Sequence, residues 1–249
     1  MRILLVNGWS APNSVWDRFL GALSSLISDR GMEISACDVI AIDRALSVDQ
    51  WCDEIDAKVC DDTYLLGWSL GGMLATAYAA RSTRKFAGLV TLMSNPSFIA
   101  TEGCPWAMSS SEFDTFLGDL DSDTDGAAYI KEFTALMARG ETQQKTAIRF
   151  LREHYAKKPA RERSVLAQSL SLLGSIDLTD QISRIQVPVL MLFGQHDVLS
   201  RCPSEAQIDK ISSRHAPVAV RLLSTGHLPF VGAIQEVQGA LIDFMVTND

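Results

Sequence analysis

The sequence predicts an α/β protein: a mostly parallel sheet flanked by helices, with a helical segment inserted in it. Three observations carry this. Short apolar runs of strand length alternate with stretches of helical periodicity. Residues 62–73 read as strand, tight turn and helix around Gly67-Trp68-Ser69-Leu70-Gly71. About ninety residues, 97–186, show no strand pattern but contain several amphipathic stretches.

Taken in order, residues 2–6 form a buried strand that ends at Asn7-Gly8-Trp9-Ser10. A helix follows, with Trp16, Phe19, Leu20, Leu23, Leu26 and Ile27 on one face and Gly31 as its stop. Residues 33–42 alternate toward a second strand, and 48–59 read as a helix. Tyr64-Leu65-Leu66 leads into the glycine-flanked serine. Residues 86–93, 188–193 and 217–223 supply three further strands, and the last helix is expected over 230–245. Near-continuous apolar strands separated by helices imply a parallel sheet covered on both faces. Helices are expected around 111–120, 126–139, 142–156 and 161–173. The expected organisation is a core of residues 1–96 and 187–249, with 97–186 as a helical lid.

Composition narrows the function. The 249 residues are 47% hydrophobic and 21% charged, which supports a sizeable core in one domain. A formal net charge of −8 argues against nucleic-acid partners. No apolar run approaches the roughly 18 residues a membrane span needs, and the N-terminal run is too short for a secretory leader. Cys37, Cys52, Cys60, Cys104 and Cys202 are scattered, odd in number and lack a CxxC pair. They read as reduced thiols in a cytoplasmic chain without a zinc site. A monomer is expected.

Gly67-x-Ser69-x-Gly71 has the form of a nucleophile elbow. A serine on so sharp a turn needs neighbours without bulk. It then projects from the sheet edge, and the helix start offers N–H groups to a developing negative charge. Such a serine needs a base, and the base an orienting acid. Of the four histidines, His227 lies in Gly226-His227-Leu228-Pro229, between the last strand and the last helix. His154, His196 and His215 lie in a basic helical stretch, beside Asp197 and before a strand. Asp197 follows the strand ending at Phe193-Gly194, and the chain order Ser, Asp, His fits an elbow enzyme; Asp177 and Asp180 compete for the acid role. The two oxyanion donors are expected to be the Leu70 N–H and, from the first strand's exit loop, the Trp9 N–H.

With these residues in view, the chain resembles the α/β-hydrolases throughout its length. More narrowly, it is similar to the pimeloyl-acyl-carrier-protein methyl ester esterases of biotin synthesis. The matching stretches are Asn7-Gly8-Trp9, Leu66–Gly72, Ser94-Asn95-Pro96-Ser97-Phe98, Phe133–Met137 and Gly226–Phe230. The resemblance implies a carboxylic-ester hydrolase that needs no cofactor. Trp9, Ser69 and Leu70 would contact the ester, and Phe133, Thr134, Ala135, Leu136 and Met137 would line an acyl channel. The helical spacing of Phe133, Leu136 and Met137 fits packing of the inserted segment equally well. Two departures stand out. The family usually has His where this chain has Asn7, and it has strands before the one that begins here at Arg2. Rival readings are a broad short-chain esterase, a C–C bond hydrolase of the same fold, or a non-catalytic binder.

Two further patterns bear on partners and metals. Between Lys131 and Arg163 there are nine Lys or Arg against four Glu, within an acidic chain. Lys145, Arg149 and Arg152 share a helical face, with Ile148, Leu151 and Tyr155 as the neighbouring apolar stripe. This face is either solvated or, as the resemblance implies, a dock for an acidic acyl carrier protein. Asp121-Ser122-Asp123-Thr124-Asp125-Gly126 with Glu132 fits the calcium-loop pattern. Ala128 and Tyr129 suit that loop poorly and no partner hand is evident, so an acidic turn capping a helix is expected and no metal.

Overall fold

In the computed structural model, residues 1–122, 127–155, 163–212 and 218–248 are described. Among these residues six strands form one sheet: β1 (Arg2–Val6), β2 (Ala36–Ile40), β3 (Thr63–Trp68), β4 (Gly88–Leu92), β5 (Val189–Gly194) and β6 (Val218–Leu223). Their order is β2-β1-β3-β4-β5-β6, and every pairing is parallel. Strands β3, β4 and β5 are buried at every residue, as the continuous apolar runs require. The edge strand β6 alternates buried ends with exposed or half-buried residues between.

Helices α1 (Asp17–Ser28), α2 (Val48–Asp56), α3 (Leu70–Arg81), α8 (Glu205–Ser212) and α9 (Ile234–Asn248) belong to the strand-bearing part. Helix α3 is buried from Leu70 to Ala79, so its sequence is small and apolar on all sides. Between β4 and β5 lie α4 (Ser110–Ser122), α5 (Ala127–Met137), α6 (Gln144–Tyr155) and α7 (Arg163–Ser175). In the described part of this insertion the only β pairing is two isolated bridges, Ser97 with Asp177 and Ile99 with Met108.

Most element ends fall within a few residues of the sequence expectation; the start of the last helix and one added helix depart from it further. Helix α9 begins at Ile234 and not at Phe230. Phe230 is fully buried, with ring centroids 4.7 Å from Trp16 and 5.1 Å from Trp68, so it anchors the preceding loop. Helix α8, which the pattern did not announce, occupies the β5–β6 crossover, where parallel strands need a connection of some length.

Strand order places the site. The chain runs from β1 outward to β2, then returns to β3 on the other side of β1, so the order reverses between β1 and β3. In open α/β sheets, ligands bind at the carboxyl ends of the strands at such a reversal. Val6 and Gly67 are register partners there, which sets the loop after β1 beside the turn after β3.

Candidate active site

Ser69 occupies that turn with φ 54° and ψ −123°, a conformation a residue with a side chain rarely adopts. Such strain costs on the order of 1–3 kcal/mol and persists only where neighbours over-determine it. Here they do. The Ser69 N–H donates to Leu92 O at 2.9 Å, and Ser69 O accepts from Gly72 N at 2.9 Å and from the Ser94 hydroxyl at 2.8 Å. The turn also requires backbone on backbone: a Cβ at Gly71 would lie 2.2 Å from Val6 O, and one at Gly67 would lie 2.3 Å from Gly71 O. Ser69 itself is 6% exposed.

The exit loops of β5 and β6 bring an acid and a base together. The His227 ring faces Asp197, with Nδ1 2.8 Å from Oδ2, and both side chains are buried. The other carboxylate oxygen of Asp197 accepts from Leu199 N at 2.8 Å and Ser200 N at 3.0 Å. The acid is thus fixed by two backbone donors and presents its remaining oxygen to the imidazole. Asp177 is engaged elsewhere: its Oδ1 accepts from the backbone N–H and the hydroxyl of Thr179. Asp180 is joined through its carbonyl to Ser183.

His227 is tied to the elbow by the residue before the serine. The Trp68 indole N–H donates to His227 O at 3.0 Å, and the two rings are 5.6 Å apart. Among the described residues, His227 is the one histidine with a carboxylate partner. His154 contacts the Ser14 hydroxyl at 2.8 Å and the Phe150 ring, and His196 is exposed. His215 lies outside the described residues.

The loop after β1 closes the other side. A Cβ at Gly8 would come within 3.3 Å of Ser69 Cβ, so the missing side chain leaves this approach open. Asn7 shapes the loop from within. It donates to Ala11 O at 3.2 Å and Asn13 Oδ1 at 2.8 Å, and accepts from Trp16 Nε1 at 2.6 Å. The departure at position 7 is therefore a buried polar staple. Trp9, 1% exposed, joins the loop to the insertion. Its indole N–H donates to Leu166 O on α7 at 3.1 Å, and its ring meets Phe133 of α5 edge-on at 4.8 Å. Leu70 is fully buried at the start of α3.

Of the other α5 residues named from sequence, Met137 is buried with Phe133, and Leu136 is half-buried. The Thr134 hydroxyl bonds back to Lys131 O, and Ala135 is exposed. On α6, Lys145, Arg149 and Arg152 are all exposed. Of the expected seating stripe, Leu151 and Tyr155 are buried, whereas Ile148 is 36% exposed on the outer face. Ala147 and Phe150 complete the buried face in its place, in the i, i+3, i+4, i+8 spacing of a packed helix. Asp123–Gly126 of the calcium-like pattern, and Lys157, Lys158, Arg161 and Glu162 of the basic run, lie outside the described residues.

Sequence reasoning missed a buried carboxylate. Glu141, between α5 and α6, is buried, and its carboxylate accepts from Leu228 N at 2.7 Å and the Thr225 hydroxyl at 2.8 Å. Burial pushes its carboxyl above the ordinary carboxylate value, opposed by these donors, by Gly226 N–H and by the charge of His227. No local pattern marks such a residue. All five thiols are free, and the two buried ones are poor nucleophiles: burial pushes Cys52 up to about 11 and Cys104 up to about 12.

A strained serine elbow at a sheet's carboxyl edge and a buried His–Asp pair beside it define a class. Residues 3–238 match the alpha/beta hydrolase family, and the chain belongs to it. Within that class, the chain is 27% identical to the pimeloyl-[acyl-carrier protein] methyl ester esterase of Aliivibrio salmonicida, over 99% of this chain and 93% of that protein. It is 28% identical to the enzyme of the same name from Shewanella woodyi, over 98% and 93%. Among solved structures, the esterase of Exiguobacterium antarcticum superposes with a TM-score of 0.75 at 17% identity, covering 99% of this chain and 92% of that one. The bromoperoxidase of Bacillus anthracis gives 0.79 at 15% identity, covering 98% and 91%. These structural likenesses speak for the fold. Among the described residues, no helix is long and apolar enough to cross a membrane, and no cluster of metal-ligating side chains occurs.

Proposed function

We propose that the chain is a serine carboxylesterase whose substrate is the methyl ester of pimeloyl-acyl carrier protein. Ser69 Oγ attacks the ester carbonyl while His227 Nε2 takes the hydroxyl proton. The Leu70 and Trp9 N–H groups hold the oxyanion. His227 returns the proton to the leaving methanol, and the acyl group stays on Ser69. Water then attacks the acyl-enzyme with His227 again as base, releasing the acid. Asp197 fixes the tautomer that leaves Nε2 free to accept and stabilises the imidazolium. The single observation that carries this reading is the buried 2.8 Å pairing of His227 with Asp197 beside a serine held at φ 54°.

Residues 97–186 act in this reading as the lid. Phe133, Leu136 and Met137 would present the apolar wall to the acyl chain, next to Trp9. The substrate class is supported by what the relatives are named for, and the exposed row Lys145, Arg149 and Arg152 suits an acidic carrier protein.

The test is turnover of the carrier-bound methyl ester by the purified chain. Ser69→Ala is expected to lose on the order of 10⁶ in kcat with an unchanged fold; retention of a tenth of the activity refutes the assignment. Arg149→Glu with Arg152→Glu is expected to raise KM for the carrier-bound ester, more at low salt than at high, and to leave a small free ester untouched. Equal loss on both substrates refutes the dock.

A further inference from the structure

The corner between α5 and α6 is wedged against both loops that carry the acid and the base. Gly140 has φ +82°, and a Cβ there would lie 1.9 Å from His196 O, one residue before Asp197. The next residue, Glu141, enters the loop around His227. Space for its carboxylate comes from two glycines: a Cβ at Gly226 would lie 2.7 Å from Glu141 Oε1, and one at Gly232 2.8 Å from Oε2. The carboxylate accepts from the backbone N–H of Leu228, directly after His227, and from the Thr225 hydroxyl two residues before it. A carboxylate is an expensive group to bury, and one residue of an inserted helical segment spans the whole base loop.

We infer that Glu141 is a positioning residue for His227, and that through it the inserted helices set the geometry of the catalytic base. The inference rests on the proposed function only in taking His227 as that base. One role follows from the contacts. The carboxylate holds the base loop by hydrogen bonds from either side of His227, so the loop cannot carry the imidazole away from Asp197 without leaving Leu228 N–H unpaired. The groups that face this corner are Asp197 on the Nδ1 side, Glu141, and Cys202 near Asp197; Arg139 and His196 lie at the same corner with exposed side chains.

The experiment compares Glu141→Gln with wild type on a small p-nitrophenyl ester, following kcat and KM separately. Glutamine keeps the shape but loses one acceptor; a base loop that shifts to re-pair the freed donor depopulates the productive geometry by the worth of that bond, and kcat is expected to fall by about 5- to 100-fold. KM for the small ester stays within about twofold. Unchanged kcat, or a loss confined to KM or to thermal stability, makes Glu141 a structural brace and overturns the inference. Thr225→Val, which removes one of the hydrogen bonds at similar volume, is expected to lower kcat in the same sense and keeps the test open if the Gln variant does not fold; wild-type kcat in a folded Thr225→Val overturns the inference. If wild type itself neither turns over the ester nor is labelled on Ser69 by a fluorophosphonate, the proposed function fails first. If wild type does both and the variants match it, the inference alone fails.

Discussion

Asp197→Asn separates geometry from charge at the site, and the structure sets what the amide must do. Oδ1 faces two donors, the N–H groups of Leu199 and Ser200 at 2.8 and 3.0 Å, while Oδ2 faces His227 Nδ1 at 2.8 Å. The asparagine oxygen has to take the first position, because an NH₂ there would meet two donors. The NH₂ is then aimed at Nδ1 and forces it to accept, which places the imidazole proton on Nε2. In that tautomer His227 could not serve Ser69 as the proposed base. Flipping the amide restores the productive tautomer but leaves two buried donors unpaired, at about 1–3 kcal/mol each. At about 1.4 kcal/mol per decade, the productive fraction falls by roughly 30- to 2 × 10⁴-fold. Loss of the carboxylate charge opposite the imidazolium adds to this, so kcat is expected to drop by about 10⁴. The assay is hydrolysis of p-nitrophenyl butyrate, with circular dichroism to establish that the variant is folded. Activity within tenfold of wild type refutes the reasoning, as does an equal loss in Asp177→Asn, whose carboxylate serves only its own turn.

Other outcomes follow from single contacts. Gly72→Ala would place a Cβ 2.6 Å from Ser94 Cβ and Oγ, displacing the hydroxyl that holds Ser69 O; a stability loss of about 1–3 kcal/mol is expected, read as roughly 2–4 °C in Tm for each kcal/mol, with a loss of esterase activity. Trp9→Phe keeps the edge contact to Phe133 but deletes the donor to Leu166 O, so weaker turnover of long acyl esters than of acetate esters is expected, checked by a chain-length series. The Glu112 carboxylate is held down to about 2 by the hydroxyl and N–H of Ser109, with Arg201 adding to this. A lowered folded-state pKa means its contribution is present above the ordinary carboxylate value and is lost as pH falls through that value toward about 2. Glu112→Gln is therefore expected to flatten the acid loss of stability in that window, measured by Tm against pH.

How much of this was legible in the sequence depends on how local each signal is. The elbow was legible because strand, turn and helix are contiguous, and because backbone approach at Gly67 and Gly71 leaves no alternative to glycine. Asp197 and His227 were legible through their place after strands and the chain order, and the structure puts the two in contact. Glu141 was not. It bonds Thr225 and Leu228 across 84 and 87 positions, and in sequence it was one more Glu in a basic stretch. The Ser94 hydroxyl on Ser69 O and the Trp68 indole on His227 O were hidden for the same reason, since each depends on how neighbouring strands exit the sheet. The start of α9 was misplaced because apolar periodicity cannot tell a helical Phe230 from one anchoring a loop among Trp16 and Trp68. The exposed Ile148 among basic residues shows the same limit at the scale of one residue: helical spacing gives the stripe, and packing decides its phase.

The most direct measurement is to find where an ester-like electrophile forms its bond. A p-nitrophenyl alkylphosphonate releases p-nitrophenol when an activated serine attacks phosphorus, and it leaves a stable adduct that peptide mass spectrometry can place. The expected result is one adduct per chain on Ser69, activity lost in proportion to labelling, and no adduct in Ser69→Ala. An adduct on another residue, or full esterase activity in the labelled chain, would contradict the reading of Ser69 as the nucleophile.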